Sequence, residues 1–493
     1  MTKLSGTILA GECRPEGRGA GTGPRNSHVS MTATAVAFTL LSWVAAGAAQ
    51  AAAADPGLRP ASATDTVGNP VTGLTTDQTT LFFAGQASFK QLEQVTDGLG
   101  PRFNLDSCVG CHAFPTHGGS SPAVNPQVAL ATAFGANNTV PTFLSTNGPI
   151  REARFKFTAN GTRDGGVHSL FVVSGRVDAT GSAAGCTAVQ ENFNAQFAKG
   201  NVSLRIPTPT YGTGLIEQIP DTTLTANLAA NAAQKQALGI SGHLNTNPND
   251  GRISRFGWKA QNVSLYLFSG EAYNVEEGIT NELFQTERDL NPTCQFKTVP
   301  NDFTGQVTPI ALGNLSSDIT NFALYMRMLA APAPSTTTPG GATSIANGQK
   351  TFSSIGCAMC HTPALMTDNT SIAALANQTV ALYSDLALHK MGPGLADNIL
   401  QGSATGDEFR TAPLWGLGER IFFLHDGRTS DLVQAIQDHA SGGGGGNWRG
   451  GGYEANSSSN SQFGPSEANR VIANFNGLSN AQQQDLLNFL RSL

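Results

Sequence analysis

Two stretches of the chain read C-x-x-C-H: Cys108-Val109-Gly110-Cys111-His112 and Cys357-Ala358-Met359-Cys360-His361. Two thiols one turn apart can add to two vinyl groups, and the next residue swings an imidazole beneath an iron. This is the attachment pattern of c-type haem. With 7 Cys and 9 His in 493 residues, chance supplies on the order of 0.002 such pentamers per chain. A thioredoxin-like C-x-x-C or half a zinc site leaves the repeated His unexplained. The spacing therefore predicts two covalently bound haem c groups, with Cys108, Cys111, Cys357 and Cys360 as thioether donors and His112 and His361 as proximal ligands. Cys13 lies in the N-terminal extension, so Cys186 and Cys294 are left over in the processed chain; in an oxidising compartment a disulfide is their default.

The second axial ligand decides what such irons do. Two strong ligands make an electron carrier, whereas an open face admits peroxide or O₂. Phe423-Leu424-His425-Asp426-Gly427-Arg428 reads as a tight turn near the second haem. The helix after it carries Leu432, Ala435, Ile436 and His439 on one face. His439 thus projects from the apolar side toward the second haem, with Met391 as the rival ligand. His117, five residues after His112, is too near to reach the opposite face without a tight loop. His389 is expected against a propionate or at the surface.

The run Arg410-Thr411-Ala412-Pro413-Leu414-Trp415-Gly416-Leu417-Gly418, with the His425 turn, resembles the bacterial di-haem oxidoreductases. These are relatives of the di-haem cytochrome c peroxidases and, more distantly, of the di-haem rubber oxygenases. Gly98-Leu99-Gly100-Pro101-Arg102-Phe103-Asn104 and Arg255-Phe256-Gly257-Trp258-Lys259-Ala260 are similar to that family too, and the likeness covers most of residues 76–493. The resemblance implies a distal His fourteen residues after His425, which is His439, and a Trp between the haems, matched by Trp258. An ordinary core role for Trp258 stays open.

Departures from the family pattern leave its catalytic groups unsettled. The active-site Gln expected ten residues after Trp258 is Phe268. The acid of Asn-Pro-x-Glu is matched only out of register, by Glu276 in Asn274-Val275-Glu276, with Glu277 beside it and Glu217 in reserve. Such a carboxyl would move protons by general acid–base catalysis. Ala272-Tyr273 falls where rubber oxygenases place an Ala-aromatic pair, so Tyr273 is a candidate to line the pocket, donate a hydrogen bond or ligate iron. The resemblance implies an oxidoreductase, with peroxide reduced at the first haem and electrons relayed through the second. It leaves open an O₂-dependent oxygenase and a non-catalytic electron carrier. A small redox protein, a cytochrome c or a copper protein, would be the donor, and calcium a further cofactor.

The elements around these residues follow from pattern. Residues 1–51 read as an N-terminal extension and signal peptide: Ala35–Ala46 is uncharged and apolar, and Ala49-Gln50-Ala51 fits a small-x-small cleavage site. A periplasmic or secreted protein is expected. Residues 52–75 are Pro-, Gly- and Thr-rich linker. Residues 76–330 form an N-terminal cytochrome c-like domain with a long insertion, short and β-like in places. Its Asp318–Ala330 stretch reads as a helix with Ile319, Phe322, Met326 and Leu329 on one face. Residues 331–343 are a second linker, and 344–493 a C-terminal cytochrome c-like domain ending in a helix capped by Ser479-x-x-Gln482. Gly348 and Phe352 share a helix face and predict close packing on that terminal helix; Gly85 and Phe89 repeat the spacing. The fold class is mainly α and loop-rich: two cytochrome c-like haem domains with an irregular, partly β insertion.

Composition bounds the rest. Gly 56 and Pro 25 favour a loop-rich chain, and 40% apolar residues supply a core. Lys+Arg 29 against Asp+Glu 35 gives −6 with no basic block, which excludes the basic footprint of a nucleic-acid binder. The apolar run near the N-terminus is too short for comfortable spanning, so the processed chain is not expected to cross a membrane.

Overall fold

Four of the described helices start where a Ser or Thr hydroxyl satisfies one of their first N–H groups. The computed structural model describes residues 51–60, 66–304, 316–442 and 462–493, all inside the compact unit Gln50–Leu493. Almost all of the expected signal peptide lies outside them. Thr75 caps the helix Thr76–Phe89 and Ser479 caps Asn480–Ser492, each in a reciprocal capping box with Gln78 or Gln482. Helix outweighs strand, and much of the chain is irregular. Among the described residues no helix is long and apolar enough to cross a membrane.

Two helix pairs dominate the packing. Thr76–Phe89 lies on Asp318–Met328, and Gly341–Ile355 on the terminal helix Asn480–Ser492. Both contacts depend on a glycine. A Cβ on Gly85 would strike the carbonyl oxygen of Asn321, and one on Gly348 that of Asp485. One turn on from each glycine, Phe89 and Phe352 tilt against His112 and His361, with ring centroids 6.0 and 6.3 Å apart. The Asp318–Met328 helix stops two residues short of the expected end because Leu329 turns extended, yet Ile319, Phe322, Met326 and Leu329 are all buried.

The insertion contains a three-stranded antiparallel sheet. Glu152–Phe155 is central, pairing with Val167–His168 on one side and Val202–Arg205 on the other, with Glu152 opposite Arg205 and Ala153 opposite Leu204. Side chains alternate along a strand. Ala153, Phe155, Val202 and Leu204 therefore enter one apolar core, while Glu152, Arg154 and Arg205 share the other face. Cys186 and Cys294 are disulfide-bonded at the edge of that core.

The 52–75 segment, where described, is pinned rather than free. Asp55 pairs with Arg491 at 2.6 Å and accepts the Leu432 N–H, and Arg59 pairs with Glu419. The turn at His425 is also docked. Gly427 has a φ of +65°, and a Cβ there would meet Ile206 and Pro149. Ile206 N–H donates to the His425 carbonyl at 2.8 Å. That contact ties the C-terminal segment to the end of the sheet.

Candidate functional site

The two C-x-x-C-H stretches open onto two cavities. Cys108, Cys111 and His112 line the first, about 1160 Å³, and Cys357, Cys360 and His361 the second, about 1400 Å³, solvent-open mouths included. Ser107 caps the one-turn helix Cys108–Cys111, and a 3₁₀ turn spans Cys357–Met359. None of the four cysteines is in a disulfide.

Three imidazoles are oriented the same way. Nδ1 of His112 donates to the Gly119 carbonyl at 2.9 Å, that of His361 to Tyr383 at 3.0 Å, and that of His439 to Ala435 at 2.7 Å. A carbonyl can only accept, so each ring carries its proton on Nδ1 and leaves Nε2 free, as metal-bound histidines do. Asp431 caps the Leu432–Gln437 helix, and His439 follows it into the second cavity. Burial, then the neighbouring His439, pushes His361 down to about 4, so it is neutral as a ligand must be. Met391 lines the same cavity. Among the described residues lining the first cavity, His112 is the single imidazole; His117 lines neither.

The donor set fits a haem in each cavity. Beyond thiols and imidazoles, Arg410 and Arg420 line the second cavity, and burial brings each down to about 10. Among the described residues no carboxylate pairs either guanidinium, so buried positive charge is left for an anionic group such as a propionate. His425 lines this cavity too, stacked on Phe409 at 4.3 Å with its buried Nε2 unpartnered. Burial holds it down to about 4. His389 is not at the surface. It is buried between Asp385 at 3.0 Å and Glu467 at 2.9 Å, because the 388–390 strand folds it inward beside Cys360. Cys360, Asp385 and His389 form the one close group of three ligating side chains among the described residues. Its sulfur and nitrogen are not the oxygen set calcium takes.

The first cavity holds most of the buried carboxyl groups. Ser264 caps the helix Leu265–Glu276, which brings Phe268, Tyr273 and Glu276 to the cavity wall, with Glu277 just beyond. The sheet presents Glu152, Arg154 and Arg205 to the same space. Asn104 donates to Glu276 at 2.7 Å, and Glu276 is hydrogen-bonded to Glu152. Burial and then the Glu152 charge push Glu276 well above the usual carboxylate range. Burial would raise Glu152 as well, but Arg154 and Arg205 outweigh it and hold it low. Tyr273 donates to Glu93 at 3.0 Å, and burial lifts Glu93 to about 8. Glu217 lies elsewhere. It accepts from Leu265 N–H at 2.8 Å and pairs with Arg327 at 2.5 Å in a separate polar cleft, so it faces neither cavity.

Trp258 lines both cavities, its Nε1–H held by the Ile206 carbonyl at 2.9 Å. A family model described as "Di-haem oxidoreductase, putative peroxidase" matches residues 153–493. The chain belongs to that family. Membership in this di-haem oxidoreductase family gives the chain haem cofactors; the second C-x-x-C-H lies inside the matched residues and the first just upstream of them. No curated protein matches the chain. A hydrazine synthase of Kuenenia stuttgartiensis, in a structure pressurised with xenon, is similar at 16% identity over 36% of this chain and 57% of that one, with a TM-score of 0.21. This chain thus spans little more than half of that chain, and a likeness so weak bears on neither fold nor function.

Proposed function

We propose that this di-haem oxidoreductase is an exported c-type enzyme that reduces hydrogen peroxide in the first cavity, fed with electrons through the second. The observation that carries the reading is the contrast between the cavities. The second holds a pair of oriented imidazoles, His361 and His439, with the buried guanidiniums of Arg410 and Arg420 beside them. The first offers one imidazole, His112, and a wall of buried acid and guanidinium groups. When bound, the haems supply the one-electron chemistry and the thioether links keep them in place. The chain's own part would be to hold the second haem with His361 and His439 and the first with His112 alone, leaving room for peroxide among the acidic groups.

Glu276 acts on the substrate as acid and base, with Asn104 fixing its orientation. Trp258, in the wall common to both cavities, carries electrons between them. His425 and Arg410 orient the second haem's edge, and Tyr273 closes the first cavity. A small cytochrome c or copper protein delivers electrons near the second cavity. The alternative, an O₂-dependent oxygenase, draws support from Phe268, Ala272 and Tyr273 all lining the first cavity. The charged wall opposite favours peroxide.

Paramagnetic resonance of the oxidised protein, peroxide turnover with a reduced cytochrome, and oxygen uptake with an unsaturated hydrocarbon separate these readings. One high-spin or exchangeable iron and a peroxide rate reduced about 10²–10⁴-fold by Glu276→Ala are expected. Two inert low-spin irons would make the protein an electron carrier. His439→Ala should alter the spectrum of the second haem alone.

A further inference from the structure

We propose that Glu152 is a second acid–base residue of the first cavity, sharing one proton with Glu276 and working in concert with it. This deepens the peroxide reading and rests on it.

The geometry comes from two elements far apart in sequence. The strand Glu152–Phe155 alternates, so Glu152 and Arg154 face the cavity together, and register sets Arg205 opposite Glu152. The helix Leu265–Glu276 ends with Glu276 against them. Two carboxyl groups cannot hydrogen-bond to each other unless a proton lies between them, since ionised carboxylates only accept. The surroundings say where that proton rests. Glu152 is ion-paired with Arg154 and feels Arg205, which favours its charge. Glu276 receives an Asn104 N–H, and Asn104 cannot turn over because its carbonyl accepts the Leu170 N–H at 2.8 Å. Arg288 and Glu271 add further charge around the pair, and Arg151 and Glu277 line the same cavity. The resting pair is therefore Glu276 carboxyl and Glu152 carboxylate.

Such a pair can do both halves of a peroxide cleavage at once. The Glu152 carboxylate takes the proton from one oxygen while the Glu276 carboxyl gives its own to the other. The O–O bond breaks and the newly protonated oxygen leaves as water. The pair has exchanged roles with its total charge unchanged. The cleavage takes two electrons, which the bound haems would supply and the donor protein would refill, and two protons from solvent, passed in through the pair, make the other oxygen the second water.

Infrared spectroscopy and peroxide kinetics on the haem-loaded full chain test this. The wild type should show a buried protonated-carboxyl band that is missing from Glu276→Gln. In Glu152→Gln the band should shift, because burial still holds the proton on Glu276 while the carboxylate that accepts it is gone. Both variants should lose about 10²–10⁴-fold in peroxide turnover, and Glu152→Asp should recover much of it. A band in Glu152→Gln identical to the wild type, or turnover within about twofold of it, overturns the proposal. If Glu152→Gln fails to retain haem, Glu152→Asp decides through the same band. A wild type inert to peroxide would overturn the functional reading and the peroxide step, while the band still reports whether the pair exists.

Discussion

Asp397→Asn is the perturbation whose cost the structure sets most clearly. Asp397 is fully buried and neutralises two cations at once: Arg205 Nη2 at 2.8 Å and Lys259 Nζ at 3.0 Å. Lys259 has 0% exposure, its remaining protons going to the carbonyls of Thr405 and Glu408 at 2.8 and 2.7 Å. Burial already brings it down to about 8. Removing one partner of a buried ion pair costs ~3–5 kcal/mol, because the charge left behind is uncompensated. The upper part of that range applies here, since two cations lose the same anion. The pH dependence has a definite sign. A folded value below the ordinary 10.5 means that the unfolded chain binds more protons, so stability rises with pH through that window. In the variant Lys259 titrates lower still, and the rise begins below pH 8. Urea unfolding of the haem-loaded protein at pH 7 and pH 9 measures both effects. Asp397→Asn combined with Lys259→Met should recover most of the loss. A loss under about 1 kcal/mol at pH 7, or no recovery in the double variant, would refute the buried-charge argument.

Gly348→Ala should destabilise by ~1–3 kcal/mol, since its Cβ would meet the Asp485 carbonyl; thermal unfolding checks it, with Gly185→Ala, exposed and without a positive φ, as the neutral control. Glu467 is brought down to about 2, its hydrogen bond to His389 outweighing burial. Its folded form binds fewer protons than the unfolded one, so its contribution is complete above about pH 4.5 and is lost as pH falls toward 2. Glu467→Gln should flatten that acid limb in a melting-temperature series.

The local signals in the sequence were those whose meaning lies within a turn or two of chain. Both C-x-x-C-H stretches open onto cavities, Gly348 and Phe352 meet the terminal helix, Ser479 caps it, and the helix-face pattern carries His439 into the second cavity. In each case a short spacing decides which atoms share a face. The Cys186–Cys294 pair was accessible by elimination, because seven cysteines less Cys13 of the N-terminal extension and the four of the C-x-x-C-H stretches leave two. Glu-Ala-Arg-Phe at 152–155 does alternate, but four residues inside an irregular stretch are too short a run to separate a strand from a loop.

What tertiary structure alone decided is which distant residues meet. Glu152 and Glu276 stand 124 positions apart, and Lys259 and Asp397 138. Glu217 and Glu276 look alike as acids near Trp258, yet one caps a helix beside Arg327 and the other lines the first cavity. His389, expected near a propionate or at the surface, is enclosed by two carboxylates. The physical reason is common to all of these. Burial and pairing set what a carboxyl or an imidazole can do, and both depend on packing between segments whose separation no local pattern encodes.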